Sequence, residues 1–415
     1  MVRIRSASAG LCQPPRTPAL TLTRERNGWC VDSARLWLAL EIKGVPYETV
    51  REIASSAPAL TIGNLTFSDS LDALRRLDAA TPDAPQLWPP PGVAASAVDE
   101  MTEAFALAMP RSRQSTRAAF LFCREEGSRY DALPRETFEA TLDETERLLS
   151  RHTGGPFLCG SELSAADVAW APMLERYAVQ LPCLHVGLRP RGGRWRRLTS
   201  WFEAMDGVPA YSCRVRGDAH SWCKVLSSSP WWPAGWPPRG DPDERGDPRG
   251  GALALTVEAA ADVFGGPSRS ELPRLWASYA AGRDSVAGSP CAEAAAALLR
   301  NADALLADAR ACHALSTDAT TAAYETALHG LIEVLRARGE QGANGSTDAL
   351  GNCEADDAFD MDPDVKALVA YLEDRMCVPR DWGAPVAAVI RGLHVRHGDA
   401  AAPDETRRVV RVNNF

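Results

Sequence analysis

The chain has 415 residues, 45% of them hydrophobic and 24% charged, which excludes a fibrous or wholly disordered protein and leaves room for two or three globular domains. A net charge of −9 argues against nucleic acid as the main partner, and no apolar run reaches the roughly eighteen residues that a membrane span needs. Eleven cysteines, an odd number without C-x-x-C pairs, argue against a disulfide framework or a metal site and for a reducing compartment such as the cytoplasm.

Residues 1–18 include Arg3, Arg5, Ser6, Ser8 and Arg16 and no acid. That composition suits a disordered tail or a short transit peptide to a plastid or mitochondrion. Ala19–Thr23 alternates as a strand does, and Ser33–Lys43 has the spacing of a helix that Gly44 stops. Cys30 stands at the junction between them. The first-turn amides and the positive end of the helix dipole favour thiolate over thiol at such a place. The alternative reading of Cys30 is a small buried hydrophobe. Asp32 is a carboxylate close to the sulfur, and its charge opposes the thiolate.

Tyr47–Ile53 predicts a second strand, and Gly63-Asn64 between two short apolar runs, Ala57–Ile62 and Leu65–Ser68, predicts a hairpin. Asp69 or Ser70 caps a helix running to about Leu77. The order β-α-β then β-β-α is thioredoxin-like. Asp78–Gly92, rich in Pro, Ala and Asp, reads as a linker. Helices follow over Ala94–Met109, Arg113–Glu126, Arg135–His152, Ser164–Leu181 and Trp195–Asp206. Ser164 with Asp167 three residues on is a capping box. Ser227–Gly251 reads as a second linker. Beyond it the periodicity predicts helices over Ala252–Phe264, Leu272–Ala281, Ala292–His313, Thr317–Arg338, Asp364–Met376 and Ala384–His394, with an acidic loop over 340–363. His394, His397 and Asp399 are read as a helix end and not as a metal cluster.

Two stretches carry a resemblance. Trp29-Cys30-Val31-Asp32-Ser33, followed by Leu38-Ala39-Leu40-Glu41-Ile42-Lys43-Gly44-Val45-Pro46-Tyr47, resembles the opening of the thioredoxin-like domain of glutathione transferases. It is most similar to the cysteine-type classes (omega, lambda and dehydroascorbate reductase-like), which read W-C-P-F-C and then L-A-L-E-E-K-G-I-P-Y. Gly155–Pro172, with Gly160, Ser164, Ala166 and Asp167, resembles the G-x-x-x-S-x-A-D start of the core helix in the family's all-helical C-terminal domain. The resemblance covers residues 19 to about 225. It departs from the family at Val31 and Asp32, and the stretch from Ile53 to Pro58 is too short for the family's second helix.

The resemblance implies a thioredoxin-like domain over 19–80, an all-helical transferase domain over 93–226 and, after the linker at 227–251, a helical extension over 252–415. It implies Cys30 as catalytic nucleophile and glutathione as co-substrate. Pro58 falls on the family's cis-proline, so the backbone of Ala57 would pair with the cysteinyl unit of glutathione. Asp69 and Ser70 fall on the pair that meets the γ-glutamyl carboxylate; read alone, they are a helix cap. The implied activity is thiol transfer or reduction of a small oxidised or electrophilic substrate. The alternative is a non-catalytic scaffold or binding protein. The resemblance allows a homodimer and gives no role to nucleic acid, membrane or metal.

Overall fold

The computed structural model describes residues 3–4, 19–26, 28–52, 58–108, 122–124, 130–132, 135–152, 154–185, 187–228, 264–268, 270–343 and 362–398. The chain divides into two compact units, one reaching to about Gly266 and one formed mainly by the residues from Pro267 onward.

The first unit opens with a small mixed sheet. Its strands are β1 (Arg3–Ile4), β2 (Leu20–Glu25), β3 (Glu48–Glu52), β4 (Ala59–Ile62) and β5 (Leu65–Phe67), in the spatial order β1-β3-β2-β4-β5. β2 and β3 are parallel and joined by helix α1 (Val31–Lys43); β4 runs antiparallel to β2 and to β5. This is the predicted thioredoxin-like order. Alternation places Leu20 and Leu22 of β2 in the core. α1 stops at Gly44, whose φ of 64° is left-handed and whose N–H returns to Leu40 and Glu41. Gly63, at φ 60°, turns the hairpin between β4 and β5. Glu52 pairs with Glu25 and Ala59 with Thr23, so β3 ends and β4 begins at the same end of β2. These two strand ends are about two strand spacings, roughly 10 Å, apart. The six residues between Glu52 and Ala59 can span that gap without a helix.

α2 (Ser70–Ala80) covers the sheet beside α1. The stretch after it, read as a linker, is held by hydrogen bonds. The Asp78 carboxylate accepts from the Leu87 and Trp88 amides at 2.9 and 3.1 Å and pairs with buried Lys43 at 2.6 Å. Lys43 also donates to Pro85 O at 2.9 Å, and Leu87 O accepts from the Ala165 amide at 2.9 Å. A buried acid and a buried cation thus fix the path between the two halves of this unit.

The helical half contains α3 (Val93–Ala108), α4 (Arg135–Leu149), α5 (Ala165–Leu184) and α6 (Arg196–Asp206). A π-helical turn follows over Tyr211–Val215, and then α7 (Ala219–Ser228). The helix predicted over Arg113–Glu126 is corrected at its end. Phe122–Arg124 is a strand, β6, paired antiparallel with β7 (Tyr130–Ala132). A run of Phe122-Cys123-Arg124 has β-forming character that helical periodicity does not exclude. The rest of 109–129 lies outside the described residues.

α5 is the core helix, and Asp167 holds its start. Its Oδ2 accepts from the Ser164 amide at 2.9 Å and hydroxyl at 3.0 Å. Its Oδ1 accepts from the Leu158 amide at 2.9 Å and from Trp201 Nε1 at 2.8 Å. The capping box expected at Ser164 is present, and it also ties α6 to the start of α5. α1 packs against both the sheet and α5, which is why its buried residues go almost all the way round it.

In the second unit the described elements are α8 (Leu272–Ala280), α9 (Pro290–Arg300), α10 (Ala302–Ala311), α11 (Thr321–Ala343), α12 (Pro363–Arg375) and α13 (Ala384–Gly398). Their core includes Ala294, Leu298, Leu331, Leu335, Ile390 and Leu393. The single helix predicted over Ala292–His313 is two. Asn301, at φ −114° and ψ 15°, breaks it and turns its side-chain amide back to Ala297 O at 2.8 Å. Asp308 accepts from the Tyr371 hydroxyl and, at 3.0 and 3.1 Å, from Arg375, which joins α10 to α12. The predicted linker Ser227–Gly251 beyond Ser228, the predicted helix Ala252–Phe264 before Phe264, and Asp399 lie outside the described residues. Of the loop expected over 340–363, the first residues through Ala343 continue α11; 344–361 lie outside the described residues.

The Asp167 network generates a first prediction. Asp167→Ala would orphan two buried amides and an indole N–H, each costing about 1–3 kcal/mol. A loss on the order of 3 kcal/mol, about 6–12 °C in the melting temperature of the first unit, is expected by calorimetry. Labelling of Cys30 should not change. An unchanged melting temperature with lost Cys30 reactivity would move Asp167 from the fold to the chemistry.

Candidate active site

Cys30 is the N-cap residue of α1, with φ −70° and ψ 125° and its carbonyl accepting from the Ala34 amide at 2.8 Å. The helix therefore begins two residues earlier than Ser33. The residue thus stands at the positive end of the helix dipole, and its side chain makes no capping hydrogen bond to the first-turn amides. It is a free thiol, and the residue is 3% exposed. Glu25, at the end of β2, accepts from the Trp29 amide at 2.5 Å and from the Cys30 amide at 3.1 Å. This carboxylate fixes the turn between strand and helix.

Ser33, one turn along α1, is buried, and among the described residues its Oγ has no hydrogen-bond partner. A buried hydroxyl left unmatched costs about 1–3 kcal/mol.

Asp32 is taken up by Arg35. The guanidinium pairs with Asp32 Oδ1 at 2.9 Å and donates to Ser70 Oγ, while Ser70 Oγ donates to Asp32 Oδ1 at 2.9 Å. Arg35 Nε donates to Ala169 O, on α5, at 3.1 Å. One buried arginine thus joins α1, α2 and α5. Burial pulls its guanidinium below the ordinary value, and the charges of Asp32, Asp69 and Cys30 pull it back up.

Arg176 on α5 is the second buried arginine, 3% exposed. Its Nη1 donates to Pro172 O, and its Nε has no hydrogen-bond partner among the described residues. Burial lowers it too, opposed by the charges of Glu175, Cys30, Glu25 and Tyr211. Glu175 is engaged elsewhere, accepting from the Gly217 amide at 2.9 Å and Trp222 Nε1 at 3.0 Å.

Asp69 caps α2, accepting from the Leu71 and Asp72 amides at 3.0 and 2.8 Å. Ser70 is buried in the Asp32–Arg35 network. Pro58 is buried at the start of β4. Ala57 lies outside the described residues, and so does the Ala57–Pro58 bond. Asp32, Arg35 and Ser70 thus form one hydrogen-bonded network in the first two turns of α1 and the start of α2. Sequence reasoning missed Glu25 as the holder of the Cys30 turn, Arg35 as the centre of this network, and the burial of Arg176 on α5. The signal was there: an arginine directly before Leu36, Trp37 and Leu38, and another between Leu174 and Ala178, each a charge set in a buried apolar run. Among the described residues no three His, Cys, Asp or Glu side chains form a group able to hold a metal, and no helix is long and apolar enough to cross a membrane.

Residues 129–204 match the family model of the glutathione S-transferase C-terminal domain. Glutathione S-transferase L1 of Arabidopsis thaliana is 25% identical over 204 residues, which covers 44% of this chain and 77% of that protein. Among solved structures, glutathione transferase Omega 1C from Trametes versicolor is 17% identical. It covers 45% of this chain and 86% of its own, with a TM-score of 0.34. The glutathione-bound theta-class transferase of Xanthomonas axonopodis pv. citri is also 17% identical, covering 47% and 95% with a TM-score of 0.31. The family match and the Arabidopsis relative support the glutathione S-transferase family for this part of the chain.

The buried network generates a second prediction. Arg35→Met would leave Asp32 and Ser70 without their cation, at a cost of about 3 kcal/mol, the lower end for a buried pair because Asp32 is one-fifth exposed. Adding Asp32→Asn should return about half of that loss in denaturant melts, as coupled neighbours do. Strictly additive losses would dissolve the network.

Proposed function

We propose that the first unit is a glutathione-dependent transferase of the cysteine type, with Cys30 as nucleophile and glutathione as co-substrate. The observation that carries the reading is the place of Cys30: N-cap of α1, in a turn whose Trp29 and Cys30 amides are held by Glu25. The start of a helix is a setting in which a cysteine can serve as nucleophile. The family match over 129–204 supports the coarser part of the reading, glutathione-dependent transfer.

The reaction is thiol–disulfide exchange. The Cys30 thiolate attacks the glutathionyl sulfur of a glutathionylated substrate. The substrate's S–S bond breaks, its thiolate leaves and takes a proton, and a Cys30–glutathione disulfide forms. A reduced glutathione, as thiolate, then attacks that disulfide at the glutathionyl sulfur. Cys30 is released as thiolate and oxidised glutathione departs. With Ser33 where a second cysteine would stand, Cys30 has no partner in its own turn, so release depends on glutathione. Pro58 and the Ala57 backbone would meet the cysteinyl unit, and Asp69 and Ser70 the γ-glutamyl end. A helix start suits a carboxylate there.

One observation favours a second reading, a non-catalytic transferase-like scaffold or binding protein: Cys30 is only 3% exposed. Turnover separates the two. With a glutathionylated peptide and reduced glutathione, the wild type should turn over. Cys30→Ser should lose about 100-fold or more, without a change in melting temperature. Retention on immobilised glutathione with no turnover in the wild type would establish the scaffold reading.

A further inference from the structure

Phe264, Gly265 and Gly266 close the stretch Val215–Gly266 of the first unit, and two guanidinium groups hold them there. Arg216 Nη2 donates to Phe264 O at 2.8 Å and to Gly265 O at 2.7 Å, acceptors 48 and 49 residues away in sequence. Arg216 Nε pairs with Asp206 Oδ1 at 3.5 Å, and Arg191 pairs with Asp206 Oδ2. Asp206 is the last residue of α6 and is buried. A buried carboxylate there meets the negative end of its own helix, so it needs cations close by. Phe264 is 3% exposed. Gly265 and Gly266 have φ of 57° and 132°, and a Cβ would strike the Arg191 guanidinium at Gly265 and that of Arg216 at Gly266. The backbone therefore runs directly against both cations. The residue after Arg216 leads to the core helix. Gly217 gives its amide to Glu175 of α5 at 2.9 Å, and Trp222 of α7 gives its indole N–H to the same carboxylate at 3.0 Å. Gly217 has no room for a side chain either, because a Cβ would strike Trp222 Nε1. Arg216 and Gly217 are thus pinned from two sides, by Phe264 and Gly265 at one residue and by α5 at the next.

We propose that Phe264–Gly266 is a strap that locks α7 onto the core helix. By holding Arg216 it fixes Gly217, and with Gly217 the carboxylate of Glu175 that Trp222 shares. Residues far beyond α7 in sequence thereby set how firmly α7 is closed, and the first unit is not complete at the end of α7. This role is independent of the one given to Cys30.

The test reads Cys223, a buried free thiol of α7 next to Trp222, in the native full chain. Its labelling by N-ethylmaleimide is followed by peptide mass spectrometry, with buried Cys291 of the second unit read alongside. Gly265→Ala displaces the Arg191 guanidinium from Asp206, and Phe264→Ala removes the buried ring. Each should speed labelling of Cys223 about tenfold or more, as local opening does, and leave Cys291 at its wild-type rate. Should Gly265→Ala not fold, Phe264→Ala alone gives the comparison. Unchanged labelling of Cys223 in a folded variant overturns the strap. Equal acceleration of Cys223 and Cys291, which marks global loosening, overturns it too, as does a wild-type Cys223 that already labels as fast as in the unfolded chain.

Discussion

The guanidinium of Arg35 is the constraint on which the first unit depends. It is buried, it stays charged, and it must therefore find acceptors inside the protein. Asp32, Ser70 and the Ala169 carbonyl supply them from three helices. Once these are in place, the start of α1 is fixed against both α2 and α5, and Cys30 is fixed with it. The same interaction accounts for Asp32. In the sequence its carboxylate opposes a thiolate next to it. In the fold its charge is matched by Arg35.

Three acids, Asp78 and Asp167 buried and Glu25 half-buried, repeat the device at different joints. Glu25 gathers two amides at the turn into α1, Asp78 gathers two amides and an ammonium after α2, and Asp167 gathers two amides, a hydroxyl and an indole at the start of α5. A carboxylate with several donors serves irregular backbone well, because loops leave amides that neither helix nor sheet can pair. The unit is therefore held by apolar burial along its helices and by acids at its corners.

Much of this fold was legible in the sequence because its signals are local. Alternation in Ala19–Thr23, the stop at Gly44, the Gly63-Asn64 turn, the caps at Asp69 and Ser164, and the periodicity of α5 each need only a few neighbouring residues. What was missed needs distant ones. Arg35 meets its partners 35 and 134 residues away, and no window of sequence shows that pairing. The break at Asn301 was hidden because apolar periodicity continues through it, and the β6–β7 pairing because β6 falls in a run that reads as helix. Asp78–Gly92 has linker composition, yet one acid–cation pair orders it. For the candidate site, Cys30 was legible as a cysteine at a helix start, and Asp32 and Ser70 were legible as neighbours of interest. The union of Asp32 and Ser70 through Arg35 belongs to tertiary structure.

The central claim is that Cys30 forms a mixed disulfide with glutathione in the native fold. Incubation of the folded chain with oxidised glutathione, followed by peptide mass spectrometry, tests it most directly. The account predicts a glutathionyl adduct on Cys30 that reduced glutathione removes. An adduct on Cys30 that forms only after the chain is unfolded would contradict it.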